Sequence, residues 1–500
     1  MKNVLIFIYS VILVLSLSSC EKWLDINDDP DNPTTSTVTL VLPAAQASVA
    51  VTVSGANLFN LGGFFAQYWD QNPTANQYNL TSTYSLQTDD YNTVWTELYA
   101  GALNDLKYVM EESEKSEEWG NYLAAVTLKA YTYQLLVDLH DKVPYKEALQ
   151  GTAKVTPLYD NGAVVYDSII SEINSALSKP LAGKTVVSSD LYFEGNLNDW
   201  IAFAKTLKLK IYLRMAYTTN PHSTEIAALL TEGNFITKNV GIAPTKYKNE
   251  QNKRNPWYET NVSRLSGDAA YSINHVASHN LVSYLLSKND PRINSLFNLP
   301  ENGGTHFGNY FGSSKITAEA KSNTQDDFST IKIPYNHPSY IMSLPEAFLL
   351  QAEASARAAN MVDAKAMYEA AITASLELNG LTVAGSTLFG PGAPYEFPAA
   401  PTLADALQAI MMQKWVCLAH SNNIEAWIEQ SRTGIPEISD VYGKDSTYVV
   451  GEWTSPVDNK LGKGRFPHRL YYPEAEVSSN PNTPTQITDI ASKVWWDLND

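Results

Sequence analysis

The stretch WGNYLAAVTLKAYTYQLLVDL, residues 119–139, decides the fold class. Trp119, Leu123, Val126, Ala130, Tyr133 and Val137 step by four, three, four, three and four residues, which draws one apolar stripe down a single long helix. Val94, Leu98, Ala102 and Leu106 make a similar stripe upstream, and the connection EESEKSEE at 111–118 is almost wholly charged. Two amphipathic helices joined by a short polar turn fold back on each other, so that both stripes leave water together. The first expectation is an antiparallel helix pair near 94–139.

Outward from that pair, the same periodicity predicts further pairs near 160–218, 344–379 and 403–432. In the third, Ala364, Tyr368 and Ala371 stand at the small–large–small spacing that tetratricopeptide repeats use in their second helix. The expected fold class is mostly α: four tetratricopeptide-like helix pairs as scaffold, in a single domain over residues 40–500. Long insertions separate the pairs, at 58–92, 235–345, 380–402 and 435–490. Connections of this length inside a folded chain tend to carry function. The first two, rich in aromatic and amide residues, are expected to form a ligand-binding subdomain.

The N-terminus MKNVLIFIYSVILVLSLSSC carries an address. Lys2 precedes an apolar run at 4–17, then small residues, then Cys20. The run is too short to cross about 30 Å of hydrocarbon comfortably, so 1–19 reads as a signal peptide. Leu17-Ser18-Ser19-Cys20 has the form of a bacterial lipobox, which makes Cys20 the expected lipid attachment site and 20–39 a flexible linker. An ordinary cleaved signal is the alternative. A lipoprotein cysteine carries more than one acyl chain, as stable anchoring requires. No later run reaches eighteen apolar residues, so no other membrane span is expected. Cys417, the only other cysteine, lies in an apolar helical stretch and reads as a buried small hydrophobe.

The net charge of −18 becomes one unit more negative when Lys2 is removed with the signal, and a field of that sign repels nucleic acid and anionic lipid. The chain holds 29 Tyr and 11 Trp. Such side chains suit sugar rings, whose C–H bonds pack on a π face while their hydroxyls find polar partners; they serve equally as core filler. The acidic run Asn27, Asp28, Asp29, Asp31 and Asn32 lacks the spacing and terminal Glu of an EF-hand loop. No cofactor is expected; a structural calcium ion is left open.

The chain contains no HExxH, no Walker loop, no GxSxG elbow and no GxGxxG after a strand. His275 and His279 stand four apart in NHVASH, without a Glu or an evident third ligand, and read as incidental helix surface. A carboxylate pair for glycoside hydrolysis is a spatial arrangement that spacing cannot test. Nothing in the residues argues for an enzyme.

A collinear set of short motifs runs along the whole chain. Trp23-Leu24-Asp25-Ile26-Asn27 and Asn32-Pro33-Thr34 follow the lipobox, and Trp95-Thr96-Glu97-Leu98-Tyr99 opens the first long helix. Leu139-His140-Asp141-Lys142-Val143-Pro144-Tyr145 follows the second, and Asp199-Trp200 leads to Lys208-Leu209-Lys210 and Arg214. Then come Asn289-Asp290-Pro291-Arg292, Gln413-Lys414-Trp415, Glu425-Ala426-Trp427, Arg432-Thr433-Gly434, Pro467-His468-Arg469-Leu470-Tyr471-Tyr472-Pro473 and Val494-Trp495-Trp496-Asp497. The series resembles the SusD/RagB family of surface lipoproteins, most of all its SusD-like subgroup. It departs at His140-Asp141-Lys142, where Trp-Gly is common, and at Ser431-Arg432, where a double Arg is common; both read as scaffold turns.

The resemblance implies the helix-pair scaffold and a location on the outer membrane at the cell surface, anchored through Cys20. It implies a TonB-dependent transporter of the SusC type as partner and an oligosaccharide or polysaccharide as ligand, bound without cleavage. Some relatives handle peptides, so a peptide ligand and, less strongly, a glycosidase stay as alternatives. No ligand residue carries over by motif. Chemistry and location nominate Trp69, Asn72, Tyr78, Tyr84 and Asp89 in the first insertion, and Arg254, Trp257, Tyr258, Phe307 and Tyr310 in the second. Trp95, Trp200, Trp415 and Trp427 lie on helix stripes and are expected in the core.

Overall fold

The computed structural model describes residues 36–264, 270–313 and 325–499. The signal peptide, Cys20, the acidic run at 27–32 and the Trp23 motif lie outside the described residues. Two helices lead in, α1 (Val38–Ser54) and α2 (Asn57–Phe65). Then come α3 (Asn104–Lys115) with α4 (Trp119–His140), and α5 (Gly162–Leu177) with α6 (Leu197–Arg214). Helices α7 (Ser223–Glu232) and α8 (His279–Ser287) follow, then α9 (Leu344–Arg357) with α10 (Met361–Leu378), and α11 (Leu403–Leu418) with α12 (Asn423–Thr433). Within each of the four pairs the helices pack on each other, and α4 on α5 and α9 on α11 join pair to pair. The architecture is mostly α.

The stripe ahead of the first pair has its own geometry. Val94, Leu98, Ala102 and Leu106 are all fully buried, yet a repeat of four drifts around a helix of 3.6 residues per turn. The backbone absorbs the drift with a π-helical turn at Glu97–Leu103, which is wider per turn and rotates the stripe back. Trp95, Trp200, Trp415, Trp427 and Cys417 are buried. The helical stretch Val38–Phe65 is long and apolar enough to cross a membrane, but half of that window is buried inside the protein, as in a core helix.

The motifs that run along the sequence meet in space. Lys210 bonds Glu346 at 2.8 Å and Glu425 at 2.9 Å. Arg214 bonds Glu425 at 2.7 Å, lies 3.2 Å from Asp138, and also pairs with Glu429. Glu429 takes Lys414 at 2.8 Å and Arg432 at 2.6 Å, and Arg432 reaches Glu353 at 2.7 Å, which also holds Arg357 at 2.8 Å. The C-terminal motifs strap onto the end of α4: the Leu470 N–H donates to the Leu139 carbonyl at 2.7 Å and the Trp496 indole to Asp138 at 2.8 Å. The motifs around Lys210, Arg214, Lys414, Glu425 and Arg432 are parts of one buried ion network, the C-terminal motifs are its strap, and Asp290 with Arg292 forms a separate buried pair at 2.6 Å.

The insertions at 58–92 and 235–345 come together in an antiparallel sheet of order β1–β5–β7–β6. Its strands are β1 (Trp69–Gln71), β5 (His275–Ala277), β6 (Phe297–Asn298) and β7 (Thr330–Ile331); the short strands β2 (Lys142–Pro144), β3 (Tyr159–Asn161), β4 (Val240–Ile242) and β8 (Ser339–Met342) pair elsewhere, β4 with β8. The first insertion opens not as a loop but as α2, whose apolar run is wholly buried except at Asn57 and packs on α12. Gly62 and Gly63 permit this closeness. A Cβ on Gly62 would fall 2.3 Å from the Ile424 nitrogen, and one on Gly63 1.8 Å from the Trp69 ring.

Candidate functional site

The structure divides the nominated residues. Trp69 and Trp257 are fully buried, with ring centroids 5.7 Å apart, and Trp69 also packs on Phe59 at 5.6 Å. Tyr84 is buried against Phe65 at 5.2 Å. The exposure expected of these three aromatics is therefore absent. Their polar neighbours in sequence turn out to be hydrogen-bond partners inside the protein, not a solvated rim. Asn72 is buried and donates to the Ile273 carbonyl at 2.7 Å, and the Tyr78 hydroxyl donates to Asn261 at 2.6 Å. Arg254 is held by Glu259 at 3.1 Å and Ser263 at 2.8 Å. Phe307 stacks on Phe328 at 5.7 Å, and Tyr310 is buried against His279 at 4.6 Å. Asp89 is exposed on the surface. Tyr258 alone among the nominated residues lines the cleft described next.

His275 and His279 do not share a helix face. His275 sits on β5, fully buried, with its ring between Ser272 Oγ and Asn60 Oδ1, each at 2.7 Å, while His279 begins α8. Burial lowers His275 to about 3, so it is neutral. Among the described residues no group of His, Cys, Asp and Glu is arranged to hold a metal ion.

A cleft of about 870 Å³ opens beside β6, β7 and the loop that follows β7. Tyr258, Tyr271, Tyr335 and Tyr340 line it, with Asn298, Asn336 and Asn379, and with Lys332 and Glu301. Its size is that of a pre-formed small-molecule site, and its lining couples apolar faces to a few polar groups. A second hollow of about 900 Å³, between α7 and the α9–α10 pair, offers Phe235 and Phe348 without tyrosines.

The local sequence explains the display. Ile333-Pro334-Tyr335-Asn336-His337-Pro338 closes a turn through the His337 N–H to the Pro334 carbonyl at 3.0 Å. Pro338 holds His337 extended and Pro334 fixes its own φ, so Tyr335 and Asn336 stand at a stiff tip. Tyr258 ends the short helix Pro256–Tyr258, which turns Trp257 inward and leaves Tyr258 half-exposed. Among the described residues, the Tyr258 and Tyr335 hydroxyls and the Asn336 amide have no side-chain hydrogen-bond partner.

The cleft is close to neutral. Lys332 Nζ already donates to the Asn294 carbonyl at 3.0 Å, and Glu301 already accepts from the Tyr271 hydroxyl at 2.7 Å. Burial, reinforced by Glu301, pushes Tyr271 up to about 12. At the floor lie His337 and His420; the His337 ring donates to the His420 carbonyl at 2.6 Å. Burial takes His337 down to about 4, and burial with the neighbouring His337 holds His420 well below the usual histidine range. Glu301 is the one carboxylate among the described lining residues. Sequence reasoning missed Tyr335, Tyr340 and Asn336. The signal was present for the first and last, a tyrosine and an amide bracketed by two prolines.

The chain matches the SusD-like family, starch-binding and associating with the outer membrane, over residues 30–473. No curated protein sequence matches it. Its fold is similar to that of a SusD homologue from Bacteroides uniformis, with a TM-score of 0.74 and 21% identity, covering 92% of this chain and 100% of that one. A chitin-binding SusD homologue from Flavobacterium johnsoniae gives a TM-score of 0.73 at 21% identity, over 92% and 99% of the two chains. A SusD homologue from Bacteroides thetaiotaomicron gives 0.69 at 21%, over 93% and 100%.

Proposed function

We propose that this chain, which belongs to the SusD-like family of starch-binding proteins that associate with the outer membrane, holds an oligosaccharide in the tyrosine-lined cleft and passes it to a TonB-dependent transporter of the SusC type. The observation that carries the reading is the cleft lining. Tyr258, Tyr271 and Tyr335 present three part-exposed rings, Tyr340 is a buried residue of the wall, and among the described residues no two of the four are in ring contact. Rings spaced in this way offer separate platforms, each able to take the C–H face of its own sugar. The free hydroxyls of Tyr258 and Tyr335 and the free Asn336 amide supply donors and acceptors for sugar hydroxyls.

Attachment follows the lipobox: the chain is held to the outer membrane, at the cell surface, through lipid on Cys20. The role is capture without cleavage. Hydrolysis of a glycosidic bond takes two carboxylates flanking it, and the described lining holds Glu301 alone. A peptide site would use an open strand edge or charged anchors, and here the charges of Lys332 and Glu301 are already engaged.

The test is calorimetric titration of the purified protein with maltooligosaccharides, chitooligosaccharides and mixed peptides, followed by chromatography of the recovered ligand. The expected result is binding of one glycan series with the ligand recovered intact. Binding of peptides alone replaces the reading with the peptide one, and shortened oligosaccharides replace it with the glycosidase.

A further inference from the structure

We infer that Asn255 is a positioning residue of this cleft: it sets the separation of the Tyr258 and Tyr335 platforms, and with it the length of glycan that touches both. The inference rests on the glycan reading above. Asn255 is fully buried. Its Oδ1 accepts from the Trp257 N–H at 2.9 Å and the Tyr258 N–H at 3.1 Å, capping the helical turn that carries Tyr258. Its Nδ2 donates to the His337 carbonyl at 2.9 Å and lies 3.4 Å from Ser339 Oγ. Its backbone N–H donates to the Tyr335 carbonyl at 2.7 Å.

One residue thus holds both walls. The side-chain oxygen fixes the Tyr258 turn, and the side-chain nitrogen with the backbone N–H fixes the Tyr335 turn. Each turn is stiff on its own account, the first through its cap and the second through its flanking prolines. What neither turn contains is a bond that sets its distance from the other, and Asn255 supplies it. Ser339 Oγ, at the far side of the amide, also accepts from the Tyr247 hydroxyl at 2.7 Å, which braces the clamp from behind.

The chemistry singles out asparagine. Aspartate keeps the single oxygen that caps both N–H groups but turns an acceptor toward the His337 carbonyl, where a donor is required. Serine keeps a cap and is too short to reach His337. In both variants the Tyr258 turn survives and the side-chain half of the tie, to the His337 carbonyl, is lost, leaving the two turns joined only by the backbone N–H to the Tyr335 carbonyl.

The experiment compares the purified protein with Asn255→Asp and Asn255→Ser on two ladders, maltooligosaccharides and chitooligosaccharides from disaccharide to heptasaccharide, by calorimetry, with a thermal midpoint for each protein. In the parent chain, affinity for one ladder is expected to step up at the length that reaches both rings. In both variants the ratio of longest-ligand to shortest-ligand affinity falls about tenfold, one ring platform's contribution. A residue with only a structural role lowers the midpoint and weakens every length by one factor, leaving the ratio intact; that result overturns the inference, as does an unchanged ladder. If the parent chain binds neither ladder, the glycan reading itself fails and this inference falls with it, an outcome distinct from a ladder that keeps its shape.

Discussion

Two buried polar regions lie in this molecule and are built on opposite rules. Between α4, α6, α9, α11 and α12, Asp138, Glu346, Glu353, Glu425 and Glu429 meet Lys210, Arg214, Arg357, Lys414 and Arg432, with as many cations as carboxylates. Burial pushes Glu429 up, but Arg432, Lys414 and Arg214 outweigh it and hold the carboxyl well below its usual range. In the sheet layer Asp70 is equally buried and meets only neutral donors: the Gln71 N–H at 2.8 Å, the Gly312 N–H at 2.9 Å and the Asn309 amide at 2.8 Å. Burial there wins, and Asp70 rises to about 8 against the pull of those donors. The scaffold is tied by full charges, where loss of one partner leaves an opposite charge uncompensated. The layer beneath the cleft is tied by neutral hydrogen bonds and ring packing, which many residues can supply.

The sharpest way to break this contrast is at Arg432. Arg432→Met takes one cation from Glu353 and Glu429, both buried, and leaves a network with one carboxylate uncompensated even though Arg357, Lys414 and Arg214 remain; it is expected to cost about 3–5 kcal/mol in a denaturant melt, the usual penalty for breaking a buried pair. A loss under about 1 kcal/mol would show that the network relaxes without it. Next in size is Trp257→Ala on the other side. It empties a site packed by Trp69, Phe59 and His275 and removes the indole donor to Asn60 at 3.2 Å. About 3–4 kcal/mol is expected from transfer and cavity terms together. The cost comes from packing, so it should appear in the melt of the unliganded protein.

pH separates Asp70 from three of the five network carboxylates, while burial raises the other two, Asp138 to about 6 and Glu346 above its usual range. Asp70 binds its proton more tightly in the folded chain than in the unfolded one, where its value is 3.8. Its contribution is therefore fully present below about pH 4 and is lost as pH climbs toward about 8. Glu353, Glu425 and Glu429 run the other way: charge pairing outweighs burial, and their contribution is present above the unfolded carboxylate value and lost as pH falls through the lowered folded values. Asp70→Asn removes the first slope only. Urea midpoints from pH 5 to 9 should show the variant gaining on the parent as pH rises and levelling near 8; parallel profiles would mean that Asp70 is ionised throughout.

The same contrast explains what could be read in the chain. Helix pairs were legible because one stripe per helix is a local pattern, and even the strict fours at Val94–Leu106 pointed to burial, though not to the π turn that makes it work. The ion network was legible only as fragments, since Arg214 and Glu425 are 211 residues apart. Trp69 and Trp257 were misread because polar neighbours without helical period look solvated. Asn60, Asn261 and Asn72 are instead buried partners, and Gly62 and Gly63 let the rings close in. His275 was misread because three residues of strand leave no period to detect. The cleft residues escaped because exposure at Tyr335 is set by a turn and by a tie to Asn255, eighty positions upstream.

Tyr335→Ala is the smallest change in stability and the one that tests where function resides. The ring is part-exposed at a stiff turn tip, and its hydroxyl has no partner among the described residues. Removing it opens no cavity and strands no charge, so the melt should move by less than about 0.5 kcal/mol. Affinity for the glycan that binds should fall about tenfold, the worth of one aromatic platform. Arg432→Met should do the reverse, lowering stability while protein that remains folded binds as before, because the network does not border the cleft. If Tyr335→Ala leaves affinity untouched while a change in the hollow beside Phe235 and Phe348 reduces it, the ligand sits on the scaffold. The division between a charged frame and a neutral, replaceable binding layer would then have been drawn in the wrong place.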